Sequence, residues 1–363
     1  MGEALLMKGN EAVAEAAIRA GCRYFFGYPI TPQSELPEYM SRRLPEVGGV
    51  FLQAESEIAA INMVFGAAGA GARVMTSSSG PGISLKQEGI SYIAGADLPC
   101  VIVDMMRGGP GLGGIQPAQS DYFQVVKGGG HGDYRLIVYA PASVQEMVDV
   151  ALEAFDISDR YRVPVMILGD GLLGQMMEPV EFRDIAAKRA ESKPWATTGA
   201  AGRSPNLVSS FEIDPEKLNI KNQERGKRYR EIEAREARYE IIGEGESDIY
   251  MVAYGTMSRV CRAAMGKARA EGLRVGLIRP VTLWPYPIEA FERVMEGAKA
   301  FLAVEMSMGQ MVEDVRLSVN GRRPVHFFGK TGGVVPTPKG ILEKIREIAA
   351  EGICKGRGLR RDA

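Results

Sequence analysis

The run Pro99-Cys-Val-Ile-Val-Asp-Met-Met (99–106) is apolar throughout except for Asp104. A strand reads this way when both its faces are buried, and such strands belong to parallel sheets covered by helices. The same grammar recurs upstream. Cys22 to Phe26, Val50 to Gln53 and Val74 to Thr76 are short apolar stretches, each followed by a turn and a helix-like run: Leu36 to Leu44, Glu57 to Ala72 and Ile83 to Ala94. A helix over Lys8 to Ala20 precedes them, and Leu136 to Tyr139, Ser143 to Asp156 and Val163 to Leu168 continue the alternation. Strands alternating with helices specify an open, doubly wound α/β sheet.

The alternation stops near Glu178 and resumes at Asp248. Strands over Ile249 to Ala253, Arg274 to Ile278, Ala300 to Val304 and Pro324 to Phe328 then interleave with helices over Val260 to Ala270, Ile288 to Met295, Met306 to Arg316 and Pro338 to Ala350. We therefore expect two doubly wound domains, 1–180 and 247–363, joined by a linker at 181–246. The linker contains a charge-dense helix at Pro215 to Tyr239 with a thin apolar stripe of Leu218, Tyr229, Ile232 and Tyr239. It reads either as a solvated linker or as an arm that packs on a partner subunit. Arg279 to Pro287 reads as a proline-stiffened loop.

Composition narrows the function. The 363 residues carry a net charge of −1, which offers no attraction to nucleic acid or an anionic membrane. No uncharged apolar run approaches a membrane span, and Met1-Gly2-Glu3-Ala4 does not open a signal peptide, so the expected location is the cytoplasm. The four cysteines (Cys22, Cys100, Cys261 and Cys354) are scattered, and only two histidines are present. Their spacing builds neither a zinc site nor an iron–sulfur cluster, so no metal site is expected on this chain.

Loops that follow parallel strands converge on one sheet edge, where ligands bind. Four such pieces stand out: Gly27–Pro32, Gln53–Glu57, Thr76–Gly82 and Met105–Pro110. Glu57 opens a helix rich in Ala and Gly, a composition that fits close packing on the sheet or a dimer interface. A buried glutamate can share a proton with a ring nitrogen, as thiamine chemistry requires. The alternative for Glu57, and for its neighbour Glu55, is an ordinary acid at a helix start. Arg107 ends the buried strand, where it can pair bidentately with a substrate carboxylate or form a salt bridge. Thr31 presents a hydroxyl between Pro29 and Pro32, and the Thr76–Gly82 loop offers hydroxyls and N–H groups to an anion or to a helix cap. The Gly-rich segment Gly108 to Gly132 is too long for a connector and reads as a lid or interface loop. Gly169-Asp170-Gly171 imitates a magnesium–diphosphate motif, but the asparagine pair required roughly 25–30 residues later to complete an oxygen site is missing. It reads as a strand-end turn.

Six motifs together resemble one family. Gly-Tyr-Pro-Ile-Thr-Pro-Gln-Ser-Glu (27–35), Gln-Ala-Glu-Ser-Glu-Ile-Ala-Ala-Ile-Asn (53–62), Thr-Ser-Ser-Ser-Gly-Pro-Gly (76–82), Arg-Gly-Gly-Pro-Gly (107–111), Arg-Pro-Val-Thr-Leu-Trp-Pro-Tyr-Pro (279–287) and Glu-Met-Ser-Met-Gly-Gln-Met (305–311) resemble the α subunit of 2-oxoacid:ferredoxin oxidoreductases. The resemblance implies a thiamine diphosphate pyrimidine-binding-like domain followed by a transketolase C-terminal-like domain. It implies Glu57 as the aminopyrimidine glutamate, Thr31 beside substrate and cofactor, and Arg107 on the 2-oxoacid carboxylate. Tyr28, Pro29, Ile30, Ser79 and Gly80 join Thr31 and Glu57 as expected cofactor neighbours. A β subunit would carry the magnesium–diphosphate half. Small γ and δ subunits would carry coenzyme A-related contacts and iron–sulfur clusters, with ferredoxin as acceptor.

Within the family, Gln-Ala-Glu-Ser-Glu (53–57), Gly-Gly-Pro-Gly-Leu-Gly (108–113) and Gly-Gly-Gly-His-Gly-Asp-Tyr-Arg (128–135) are most similar to the 3-methyl-2-oxobutanoate (2-ketoisovalerate) type. The alternatives are the 2-oxoglutarate or pyruvate branch, and a non-catalytic scaffold subunit whose site has lapsed.

Overall fold

The computed structural model describes residues 4–183 and 192–356; the linker positions 184–191 and the C-terminal end of the expected second domain, 357–363, lie outside the described residues. The first unit opens with β1 (Leu5–Lys8), α1 (Gly9–Arg19), β2 (Tyr24–Gly27), α2 (Glu35–Glu46), β3 (Val50–Gln53), α3 (Glu57–Gly69), β4 (Val74–Ser78) and α4 (Pro81–Gly95). It continues through β5 (Val101–Met106), α5 (Tyr122–Val126), β6 (Ile137–Tyr139), α6 (Val144–Tyr161), β7 (Val165–Asp170), α7 (Gly171–Gln175) and β8 (Met177–Val180). The expected helices and strands are present. Their ends move by a few residues because caps, rather than apolar pattern, set them: Ser56 caps α3 and Ser143 caps α6 through their side chains.

Beyond β8 come α8 (Pro215–Glu236), β9 (Tyr239–Ile242), β10 (Ile249–Val252), α9 (Gly255–Ala270), β11 (Val275–Pro280), β12 (Thr282–Trp284), α10 (Ile288–Val294), β13 (Ala300–Glu305), α11 (Met311–Val319), β14 (Val325–Gly329) and α12 (Pro338–Gly356). A seven-stranded sheet has the order β12-β6-β7-β5-β4-β2-β3, and a five-stranded sheet the order β14-β13-β10-β11-β9. Both are parallel apart from one antiparallel edge strand each, β12 on β6 and β9 on β11. A third, two-stranded pair joins β1 to β8.

The chain thus exchanges strands between its units. β9 follows the linker helix and edges the second sheet, while β12 returns from the second unit to edge the first. The segment Arg279 to Pro287 is therefore not only a loop. Thr282 and Trp284 pair with Tyr139 and Val138. A three-residue strand in a proline-rich segment is too short to signal itself by alternation.

α8 is not a free arm. Ile232 is fully buried, Tyr229 meets the Trp284 ring edge-on with centroids 5.7 Å apart, and the Tyr161 hydroxyl bonds Glu236 at 2.8 Å. Arg225 reaches back to Asp97 and to the Gly95 carbonyl at the end of α4. One narrow face of the helix packs on its own chain and most of its surface meets solvent, as the thin apolar stripe implies.

α3 behaves similarly. Ala60, Ile61, Val64 and Ala68 face the core, whereas Ile58 and Met63 stay exposed at 49% and 36%. Cys22, Cys100 and Cys261 are free, buried thiols. No helix among the described residues is long and apolar enough to cross a membrane.

Candidate active site

In the first sheet, β2 pairs with β3 on one side and β4 on the other, so the chain reverses direction between β2 and β4. Crevices at such switch points, outside the carboxyl ends of the strands, are where open α/β sheets bind ligands. The loop after β2 carries Tyr28 to Pro32, and the turn after β4 carries Ser79 to Gly82. The next strand, β5, is followed directly by Arg107.

The β4–α4 turn is what brings these residues together. Gly80 sits at φ +38°, and a Cβ there would lie 3.6 Å from Arg107 Cγ and 3.8 Å from Asp121 Oδ2. Two residues on, a Cβ at Gly82 would fall 2.1 Å from Ser78 Oγ and 2.7 Å from Glu57 Oε1. Glu57 and Arg107 therefore flank one turn, and the missing side chain at Gly82 is what admits the Glu57 carboxylate. Glu57 is 6% exposed, faces the charge of Lys86, and its side chain makes no hydrogen bond among the described residues. The hydroxyls of Ser78 and Ser79 are also buried without a partner. A cluster of buried, unsatisfied polar atoms is costly unless a ligand completes it. The donor set fits a polar heteroaromatic ring, as the aminopyrimidine of thiamine diphosphate is.

Arg107 is 7% exposed and unpaired with any carboxylate among the described residues. Its Nη1 donates to the Thr31 carbonyl at 2.9 Å and its Nη2 to the Leu112 carbonyl at 3.0 Å, while Nε has no partner. Thr31 and Arg107 thus meet through the Thr31 backbone, which leaves the hydroxyl side of Thr31 exposed. Tyr28 and Ile30 are half-buried and Pro29 is exposed. They are held by Gln33, whose amide reaches the Tyr28 carbonyl and accepts from Ser77.

A cavity of about 730 Å³ opens beside Arg107 and Gly80. Its other wall comes from the second unit, through Met306, Gln310 and Thr331. A second cavity of about 550 Å³ lies on the Thr31 and Pro32 side, against Pro117 and Gly171. The Gly-rich segment divides accordingly. Residues 109–116 are exposed over the cavities, with Leu112 at 82%, whereas 117–126 dock on the second unit. Gln119 exchanges bonds with Met306 N and O at 3.0 and 2.8 Å and donates to the Tyr254 carbonyl at 3.0 Å. Gln310 holds Phe123 N and the Ser120 carbonyl, and Tyr122 bonds Asp314. The Glu-Met-Ser-Met-Gly-Gln-Met motif makes this docking rigid. Fully buried Glu305 accepts from Gln310 N, Met311 N and Val312 N at 3.0–3.1 Å and from Ser307 Oγ at 2.7 Å, filling the N-terminus of α11 with negative charge. Asp170, by contrast, caps α7 through Leu172 N and Leu173 N, as a strand-end turn should.

Three residues beside the site have no role in the sequence reading, although Asp104 stands out there as the break in an apolar run. Lys86 is fully buried on α4 and donates to Thr76 Oγ1 at 2.6 Å and the Ser77 carbonyl at 3.1 Å. Burial pushes its ammonium down to about 7, against the opposing pull of Glu57, Asp104 and Cys100. Asp104, fully buried, and Asp121, 7% exposed, lie next to Gly80 and to each other. Burial raises both, Asp121 up to about 6 and Asp104 well above the carboxylate range. The signal for Lys86 was present: it falls on the same helical face as Ile83 and Ile90, where a charge needs a reason.

Residues 15–242 match the family described as pyruvate flavodoxin/ferredoxin oxidoreductase, thiamine diphosphate-binding, and residues 247–341 match pyruvate:ferredoxin oxidoreductase core domain II. This chain belongs to the 2-oxoacid:ferredoxin oxidoreductase family, a family of oxidoreductases. It is 53% identical over 346 residues to ketoisovalerate oxidoreductase subunit VorB of Methanothermobacter thermautotrophicus, covering 95% of this chain and 98% of that one. It is 37% identical over 358 residues to 2-oxoglutarate synthase subunit KorA of Methanocaldococcus jannaschii, covering 92% and 96%. Among solved structures it resembles a 2-oxoglutarate:ferredoxin oxidoreductase from Magnetococcus marinus with 2-oxoglutarate, coenzyme A and succinyl-CoA bound, at TM-score 0.84 and 29% identity. That likeness covers 95% of this chain and 65% of the solved one. A split gene transketolase shares the fold alone, at TM-score 0.59 and 15% identity over 96% of this chain and 98% of that one.

Proposed function

We propose that this chain is the α-type subunit of a thiamine diphosphate- and coenzyme A-dependent 2-oxoacid:ferredoxin oxidoreductase, and that its substrate is 3-methyl-2-oxobutanoate. The observation that carries the proposal is the buried Glu57 carboxylate, admitted by Gly82 and left without a hydrogen bond at the switch point of the sheet. Bound thiamine diphosphate supplies an electron sink for decarboxylation of a 2-oxoacid. Glu57 holds a proton against the ring nitrogen of the aminopyrimidine and so activates the cofactor. Tyr28, Pro29, Ile30, Ser79 and Gly80 shape the space around that ring. Arg107 takes the substrate carboxylate through its free Nε and the charge of its guanidinium, and Thr31 offers its hydroxyl beside it.

Among the described residues no cluster of His, Cys, Asp and Glu can hold a metal ion. A β subunit supplies the magnesium and diphosphate contacts in this reading. Small γ and δ subunits bring the iron–sulfur clusters, and ferredoxin takes the electrons in the cytoplasm. The substrate choice rests on the greater similarity to the ketoisovalerate relative, 53% against 37% for the 2-oxoglutarate one. Viologen reduction by the complex that co-purifies with a tagged copy tests it, with thiamine diphosphate, magnesium, coenzyme A and three oxoacids in parallel. Fastest reduction with 3-methyl-2-oxobutanoate supports the branched-chain substrate. Preference for 2-oxoglutarate or pyruvate keeps the family and moves the substrate. No reduction by an intact complex favours a scaffold subunit.

A further inference from the structure

We propose that the Asp104–Asp121 pair is a charge gate on Arg107, setting how tightly the site holds a carboxylate; the inference rests on the reading of Arg107 as the oxoacid's partner. The geometry is specific. Arg107, Gly80 and Asp121 line the same cavity of about 730 Å³, and Asp121 Oδ2 is buried there with no hydrogen-bond partner. Behind it both oxygens of Asp104 are likewise unpartnered, on the strand that Arg107 directly follows. The Gly80 backbone N–H lies beside both carboxyl groups.

Arg107 is the cation that lines the cavity with Asp121 and acts on it. Lys86 approaches Asp104 from α4 and is itself bonded to Thr76 and the Ser77 carbonyl. Gln124 faces Asp121 from α5. Tyr254 faces both acids from the second unit, with Glu305 and Asp170 beyond it. Cys100 and Glu57 face Lys86. Arg107 already spends two N–H groups on the Thr31 and Leu112 carbonyls. A negative charge on the pair lowers the potential at its remaining donor and competes with an incoming carboxylate. Protonation of Asp121 removes that competition.

Burial raises the Asp121 carboxyl to about 6, so as pH rises through that region Asp121 loses its proton and the new charge weakens carboxylate binding. Asp121→Asn removes that charge while fully buried Asp104 stays neutral, so binding at neutral pH tightens and its pH dependence disappears. Asp104→Asn keeps a donor against Asp121, so the pH dependence of binding is retained. A merely structural role would not remove the pH dependence in one variant alone while tightening binding.

The test is calorimetry on the intact, co-purified complex from pH 5.5 to 8.5, with 3-methylbutanoate as the charged probe and 3-methylbutanamide as the neutral one. The expected result is wild-type carboxylate affinity falling about threefold to tenfold across the range. Asp121→Asn holds it flat and tight, Asp104→Asn keeps the wild-type trend, and the amide shows no trend. The same pattern should appear in KM for the oxoacid without a matching trend in kcat. A wild-type pH profile in Asp121→Asn would overturn the gate. A complex that binds the carboxylate with this pattern yet turns over no 2-oxoacid would keep the gate and overturn the functional reading.

Discussion

Arg107 Nη1 donates to the Thr31 carbonyl at 2.9 Å, tying the end of β5 to a proline-stiffened turn 76 residues away. The cation and the hydroxyl assigned to the substrate are therefore positioned as one unit. Arg107→Ala removes the charge and loosens the turn. The apparent KM for the oxoacid should rise about tenfold to a hundredfold, the range of a lost charge-assisted hydrogen bond. Steady-state kinetics on the complex checks it, and an unchanged KM would remove Arg107 from the substrate site.

Gly82→Ala probes the turn from the other side. The new Cβ would meet Ser78 Oγ at 2.1 Å and Glu57 Oε1 at 2.7 Å, so the Glu57 carboxylate must move. Overpacking of this kind costs about 1–3 kcal/mol. We expect a modest fall in melting temperature with a much larger fall in turnover. Equal, small losses in both would show that the carboxylate position is not critical.

These sites were legible because loops after apolar strands are legible. The strand at Val101–Met106 and the turn at Ser79–Gly82 follow from residue type alone, and their convergence follows from parallel topology. What escaped was whatever depends on distant partners. β12 is recognisable only by its pairing with Tyr139, and β9 only by its place beside β11. Asp104 was visible as the one interruption in an apolar run, yet nothing local announces Asp121 as its companion. Glu305 gains its meaning from the three N–H groups that fold back onto it.

Glu305→Ala should therefore act on stability. It leaves three N–H groups and the Ser307 hydroxyl without their buried acceptor, at a cost of about 3–5 kcal/mol by the measure of broken buried charged networks. Denaturant unfolding is the check. The loss should greatly exceed that of Arg346→Ala, whose partner Glu271 is on the surface. Comparable losses would mean that α11 is held by its apolar face alone.

Lys86 gives a pH dependence. Its folded pKa is depressed to about 7 from 10.5, so the unfolded chain binds more protons between those values. Stability from this group rises with pH over that window, by at most about 1.4 kcal/mol per unit, and is lost as pH falls towards 7. Lys86→Met should flatten the profile of unfolding free energy between pH 7 and 10. An unaltered slope would mean that Lys86 stays charged in the folded protein.

The most direct test of the central claim is Glu57→Gln in the complete complex, with subunit content and bound thiamine diphosphate measured alongside viologen reduction. The amide preserves shape and fits the same space beside Gly82, but cannot exchange a proton with the aminopyrimidine ring. Assembly should be intact and turnover with every 2-oxoacid should fall by at least about a hundredfold, the range of a lost general acid–base group. Near-normal turnover from that complex would contradict the assignment of Glu57 and, with it, the proposed function.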